Sequence, residues 1–412
     1  MDYAPRHVDA ELDSALRRAG AVLIEGPKAC GKTATALQRA ASVSHVDTDP
    51  GVAQLMEIDP ALVLDGAAPR LLDEWQWQPR LWDSVRRAVD ERHAPGQFIL
   101  TGSSAPSVNA TRHSGAGRFA RLRMRTMTLV ETGHSTGVVS FAGLIADDPP
   151  RAAAQDLGYL PLLERIARGG WPAFQDLTIE DALANLRDYV QAVAEVDVQL
   201  ADGVARDPIR VRRLLAALAR STATEASIST LARDEASLSR DAVRAYLAAL
   251  ERIFVVEDQP AWSAHLRSSA TLRKEPKRHF CDPALAVALL RADPSALRND
   301  AAFAGQLFES LVVHELRIYA QQHGGSVFHA RDSAGREVDA IVQGPDSTWH
   351  AFEVKLGSAD EVVERAAAGL LRFAAVAARG ESRPTLTVIT GSGPSYRRSD
   401  GVNVVAVSAL GP

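Results

Sequence analysis

Gly26-Pro27-Lys28-Ala29-Cys30-Gly31-Lys32-Thr33 follows directly on the apolar run Ala21-Val22-Leu23-Ile24 and opens onto the helix-forming stretch Thr33-Ala34-Thr35-Ala36-Leu37-Gln38-Arg39. The spacing G-x-x-x-x-G-K-[ST] between a strand and a helix is that of a phosphate-binding loop. Its glycines let the backbone fold tightly, so that main-chain N–H groups and the following helix N-terminus point at a nucleotide β-phosphate. Lys32 is placed to reach the β/γ-phosphates, and Thr33 to offer its hydroxyl to Mg2+. All eight residues, Gly26 through Thr33, are candidate nucleotide-binding positions.

Outward from this loop, apolar strands are expected at 21–25, near 44–47, at 70–73 and at 97–101, separated by helical stretches. That alternation predicts a parallel α/β sheet. Arg70-Leu71-Leu72-Asp73-Glu74 ends a strand in paired carboxylates. In a nucleotide hydrolase such a pair holds Mg2+ through the aspartate and orients water through the glutamate. Asp73 is therefore the expected metal-side residue and Glu74 the expected general base. Phe98-Ile99-Leu100-Thr101 runs into Gly102-Ser103-Ser104, so Thr101 or Ser103 reads as a sensor of the γ-phosphate, with an ordinary polar turn as the alternative. Beyond Arg112-His113-Ser114-Gly115-Ala116-Gly117, Arg118 reads either as an arginine finger, in cis or in trans, or as a solvent-facing residue. The alternation in Arg121-Leu122-Arg123-Met124-Arg125 predicts a strand with one arginine face.

With 412 residues, the chain is long enough for two to four domains. Its net charge of −5 gives no global electrostatic case for nucleic acid, so DNA contact would depend on local patches. Cys30 and Cys281 are the two cysteines, which implies no disulfide framework. No signal-peptide-like apolar core and no run of membrane-spanning length are apparent, and a soluble, cytoplasmic protein that meets no membrane is expected.

Asp147-Asp148-Pro149-Pro150-Arg151 reads as a linker closing a first domain at 1–148, followed by a helical connector over 149–204 with an interruption at Gly169-Gly170-Trp171-Pro172. Helix-like segments at 208–220, 228–234 and 239–252 run into Ile253-Phe254-Val255-Val256-Glu257, a winged-helix order over 205–298. There Arg240 and Arg244 would face outward to read DNA, or the trihelical unit would serve as interdomain packing. Arg273, Lys274, Lys277, Arg278 and His279 read as a grip on a phosphate backbone or as a wet loop.

A last α/β domain is expected over 299–412. It has a helix at 303–319 carrying Glu309, strands at 327–330 and 337–342, the second carrying Asp339, and a returning strand His350-Ala351-Phe352-Glu353-Val354-Lys355. Glu353 and Lys355 are two apart and leave one strand face, where hairpin pairing brings Asp339 near. Such a set, with Glu309 added, binds divalent ions and polarises water for phosphodiester attack, with Lys355 positioning or activating that water.

The order of these pieces resembles the prokaryotic AAA-type ATPases that carry a C-terminal domain related to the PD-(D/E)XK nuclease fold. The resemblance rests on Gly26 through Thr33, Leu71-Leu72-Asp73-Glu74, Leu100-Thr101-Gly102-Ser103, Gly117-Arg118 through Glu131, Lys277 with Phe280 and Asp282, Phe308-Glu309, Glu337-Val338-Asp339 and Glu353-Val354-Lys355. It implies an α/β multidomain protein with an AAA-like parallel sheet, a winged-helix middle and a restriction-endonuclease-like end. It further implies ATP as the nucleotide and its hydrolysis, for which Mg2+ is the expected cofactor, and leaves open what the last domain does, with DNA as a candidate partner and a homo-oligomer as a candidate assembly. An alternative is a nucleotide-dependent switch whose last domain binds a partner without cutting.

Overall fold

The computed structural model describes residues 3–104, 115–153, 157–234, 238–263, 275–331, 335–377 and 384–412. Arg112, His113, Ser114, Arg273 and Lys274 lie outside the described residues. The chain divides into two compact units.

The first unit comprises Met1–Thr126, Val196–Ala205 and Ala248–Val255. Its sheet is five-stranded and parallel, in the order β2-β3-β4-β1-β5. The strands are β1 (Ala21–Glu25), β2 (Ser42–His45), β3 (Arg70–Asp73), β4 (Phe98–Gly102) and β5 (Phe119–Arg123). Alternate side chains of each strand enter opposite layers. Val22, Ile24, Leu71 and Ile99 pack with Val8, Leu12 and Ala36, from the helices Val8–Arg18 and Lys32–Leu37. Ala21, Leu23, Leu72 and Leu100 pack with Val52, Met56, Trp82 and Val85, from Pro50–Ile58 and Arg80–Arg92. A parallel sheet covered on both faces needs strands without polar alternation, and β1 and β4 have that composition. All five strands run the same way, so the C-terminal ends of β1, β3 and β4 share one edge of the sheet. In β5 the alternation predicted from sequence is present, with Ala120 and Leu122 buried and Arg121 exposed.

The second unit comprises Met127–Glu195, Arg206–Leu247 and Val256–Pro412. The two units meet along the chain at 126/127. Strand β6 (Val139–Ser140) pairs with the C-terminal β13 (Leu410–Gly411), Ser135 Oγ donates to Leu410 O at 2.6 Å, and the Phe141 ring stacks 6.2 Å from Phe352. Helices occupy Tyr159–Arg168 and Ile179–Ala192, with Gly169 at φ 72° after the first. Buried Asp282 accepts from Gly170 N at 2.8 Å and from Ala284 N, at the start of the helix Ala284–Leu289, at 3.0 Å, tying that turn to the helix.

Three helices follow in the expected order, Pro208–Arg220, Ile228–Asp234 and Arg240–Arg252. Antiparallel bridges then join Val256 to Phe280 and Gln259 to Lys277. The last segment has a 22-residue helix, Ala301–Gln322, then β7 (Ser326–Arg331), β8 (Glu337–Gln343), β9 (Trp349–Lys355), the helix Asp360–Ala377, β10 (Leu386–Thr390), β11 (Tyr396–Arg397) and β12 (Asn403–Ala406). These strands form a mixed six-stranded sheet in the order β11-β12-β10-β9-β8-β7. The pairs β7/β8 and β8/β9 are antiparallel, while the helix after β9 crosses over to a parallel β10. Among the described residues, no helix is long and apolar enough to cross a membrane.

Candidate functional site

The loop after β1 turns through two left-handed positions, Ala29 at φ 59° and Gly31 at φ 107°. Only glycine holds the second without strain. Gly26 is dictated by space, since a Cβ there would sit 2.1 Å from Met124 O. Beneath the loop, buried Arg6 donates to Cys30 O at 2.8 Å and to Arg125 O at 2.9 Å, tying the loop to the segment after β5. Cys30 is wholly buried and packs in the core.

The Lys32 ammonium folds back onto the loop, donating to Pro27 O at 2.8 Å and Gly26 O at 3.1 Å. Thr33 Oγ1 donates to Asp73 Oδ1 at 2.7 Å, and Thr101 Oγ1 donates to the same oxygen at 2.5 Å. The second carboxylate oxygen stands 3.2 Å from His45 Nδ1. Glu74 takes a left-handed backbone at φ 53°, a conformation costly for a residue with a side chain and often reserved for a functional turn. Its N–H donates to Thr101 Oγ1 at 3.3 Å, and its carboxylate accepts from Gln76 and, at 3.4 Å, from Ser103 Oγ. Thus the ends of β1, β3 and β4 bring together Lys32, Thr33, Asp73, Glu74, Thr101 and Ser103. A hydroxyl and a carboxylate oxygen converging beside a phosphate-binding loop are the hard oxygen donors that suit Mg2+. Sequence reasoning named this set except His45 and Gln76, whose side chains enter it through strand pairing and a 3-10 turn.

Lys28 points sideways from the loop, with its Nζ 2.5 Å from Asp197 Oδ1. Arg118 immediately precedes β5, and its carbonyl accepts from Ala21 N at the start of β1. With strands rising about 3.3 Å per residue, it stands roughly 16 Å along the sheet from the loop. Its guanidinium pairs with Asp90 at 2.8 Å. Arg118 therefore does not reach its own chain's nucleotide loop.

A second cluster lies within the second unit. The sheet splays where β8 and β9 cease to pair beyond Ala340 and Phe352, and Asp339 Oδ2 accepts from Val354 N at 2.8 Å in place of the ladder bond. On this face Lys355 Nζ stands 2.8 Å from Glu353 and 3.5 Å from Asp339. Glu309 is brought in by Lys277, whose ammonium lies 2.6 Å from Glu309, 2.7 Å from Glu337 and 3.5 Å from Asp339. Burial acts to lower Lys277, but Glu309, Asp339 and Glu337 overcome it and its pKa is raised. Burial and Asp339 push Glu309 up to about 8 and Glu353 up to about 7 against the pull of the lysines.

Glu309, Asp339, Glu353 and Lys355 lie in one cluster, which Glu309 joins through Lys277. Their metal-ligating geometry, however, is not formed: among the described residues, no group of three or more His, Cys, Asp or Glu is arranged to hold a metal ion. An ammonium stands between the carboxylates. The basic reading of 277–279 is also corrected, because Lys277, Arg278 and His279 are buried. Arg278 pairs with Asp258 at 2.6 Å, and His279 lies between Ser310 and Gln259. The β-bridges that carry these residues inward cannot be read from a run of basic letters. Arg240 and Arg244 are exposed, the second paired with Asp241 at 2.8 Å.

Residues 18–133 match the AAA domain family. The first unit carries an AAA-type, ATP-binding P-loop domain. Residues 161–296 and 304–410 match two domains of unknown function, DUF8612 and DUF4143. The chain is 27% identical over 363 residues to the uncharacterized proteins Rv2008c of Mycobacterium tuberculosis and Mb2031c of Mycobacterium bovis, over 87% of this chain and 75% of each relative. A Walker-type ATPase of Pyrococcus abyssi aligns with a TM-score of 0.40 at 11% identity, over 70% of this chain and 96% of that one.

Proposed function

We propose that the protein is a Mg2+-dependent ATPase whose nucleotide cycle controls a nuclease-like, DNA-acting second unit. The observation carrying the hydrolytic half is the convergence of Thr33 and Thr101 on Asp73, with Glu74 beside Ser103. Gly26 through Gly31 would cradle the β-phosphate with main-chain N–H groups, and Lys32 would leave the carbonyls of Gly26 and Pro27 for the phosphate oxygens. Thr33 and Asp73 would hold Mg2+, which supplies charge neutralisation at the phosphates. Glu74 accepts the proton of the attacking water, Gln76 and Ser103 hold its carboxylate in place, and Ser103 or Thr101 senses the γ-phosphate. Arg118 serves as an arginine finger only towards a second copy of the chain, so a homo-oligomer belongs to this reading.

For the second unit, support comes from the meeting of Glu309, Asp339, Glu353 and Lys355 at a splayed β8/β9 hairpin, behind a long helix and before a crossover to a parallel strand. The helical order at 208–252, with Arg240 and Arg244 exposed, supports a winged-helix contact to DNA. A second reading, a nucleotide switch whose last domain binds without cutting, is favoured by the Lys277 ammonium among the acids. The test is ATPase rate with and without DNA, beside cleavage with Mg2+ or Mn2+. DNA-stimulated hydrolysis with cutting abolished by Lys355→Ala supports the first reading. Hydrolysis without cutting on any DNA form supports the second, and a protein that retains no ATP contradicts both.

A further inference from the structure

Lys277 reaches the acidic cluster from a segment held in place by main-chain bonds on both sides. Gln259 N donates to Lys277 O at 2.8 Å and Lys277 N donates to Gln259 O at 3.0 Å. The Gln259 side chain in turn donates to Asp339 O at 3.0 Å and to Phe328 O at 2.9 Å. One residue therefore fixes both the lysine backbone and the aspartate backbone. The Lys277 side chain is 2% exposed, so its ammonium faces Glu309, Glu337 and Asp339 and not water. A phosphate-gripping lysine would be exposed, and a lysine activating water would leave its carboxylates free for a metal. Lys277 does neither.

We propose that Lys277 is a built-in cation that occupies the divalent-metal position of the nuclease-like cluster and locks it against metal. The inference rests on the nuclease-like reading of the second unit for the identity of the site, but not on cleavage. With the ammonium in place, Glu309 and Asp339 are committed to a monovalent partner of fixed position, and Mg2+ or Mn2+ enters only if Lys277 withdraws. Lys355, at the edge of the same cluster and about a third exposed, keeps its contacts to Glu353 and Asp339 and is not displaced in this scheme.

The experiment is Mn2+ binding to nucleotide-free, full-length protein, followed by electron paramagnetic resonance. Wild type is expected to show no Mn2+ site that depends on Asp339. Lys277→Gln is expected to gain Mn2+ affinity by roughly tenfold or more, as expected when a competing positive charge leaves a carboxylate site, and Lys277→Gln with Asp339→Asn is expected to lose that gain. A wild-type Mn2+ site abolished by Asp339→Asn would overturn the proposal, as would a folded Lys277→Gln that gains nothing. Should Lys277→Gln not fold, Lys277→Met is measured in its place, with and without Asp339→Asn, and is expected to show the same Asp339-dependent gain. Wild-type cleavage with Mn2+ would break the lock and sustain the nuclease-like reading. A metal-loading Lys277→Gln that cuts no DNA would sustain the lock and remove cleavage.

Discussion

Thr101 Oγ1 donates to Asp73 Oδ1 at 2.5 Å, joining the central strand β4 to the acidic end of β3 at the level of the phosphate loop. Thr33 donates to the same oxygen from the loop itself. One carboxylate oxygen thus registers the positions of both neighbours. Thr101→Val keeps the shape and removes the hydroxyl, so it is expected to leave ATP binding within about threefold and to lower kcat by roughly tenfold, the worth of one hydrogen bond to a charged group. Steady-state kinetics beside nucleotide titration checks this. A drop in affinity with kcat unchanged would place Thr101 in binding.

Glu74 is held by Gln76 and Ser103 in a left-handed turn where its carboxylate has little freedom. Loss of a positioned general base costs about 10²- to 10⁴-fold in rate. Glu74→Gln is therefore expected to bind ATP normally and hydrolyse it at least about 100-fold more slowly, as read from single-turnover rates. Near-normal turnover would remove Glu74 from the mechanism.

The stability of the second unit should depend on pH through Glu309. Burial raises its pKa to about 8 from a usual value of 4.5, so the folded state binds the proton more tightly than the unfolded chain does. The contribution is fully present below about 4.5 and is lost as pH rises through about 8. Lys277, Glu337, Asp339 and Lys355 face the same cluster, and Lys277 stays charged across that window. Thermal unfolding is expected to fall between pH 5 and 8 more steeply in wild type than in Glu309→Gln, at roughly 2–4 °C for each kcal/mol. Equal slopes would show that Glu309 ionises freely.

Asp282 satisfies two main-chain N–H groups inside the fold, Gly170 and Ala284. Asp282→Ala leaves both without their acceptor and is expected to cost about 2–4 kcal/mol. Chemical denaturation followed at a probe in the second unit measures it. A loss below about 0.5 kcal/mol would mean that water replaces the carboxylate.

Local patterns were legible in the sequence wherever a residue's role follows from its immediate neighbours. The loop Gly26 through Thr33, strands β1 and β3 and the placement of Asp73 and Glu74 needed only periodicity and spacing. Asp339 and Glu353 could be paired because a hairpin brings them together over few residues. The rest depends on contacts far apart in the chain. Residues 127–148 join the second unit through β13 at the C-terminus, and Arg118 precedes β5 at the end of the sheet away from its own chain's loop, because a parallel strand's direction is set by its partner. Lys277 was visible as a letter, but its inward turn depends on the bridge to Gln259.

The most direct test of the central claim is MgATP turnover by purified wild type beside Lys32→Ala. Wild type is expected to show saturable hydrolysis that requires Mg2+, and the variant at least about a 100-fold loss of turnover with weakened ATP binding. A Lys32→Ala protein that binds and hydrolyses ATP as wild type does, or a wild type that retains no ATP, would contradict it.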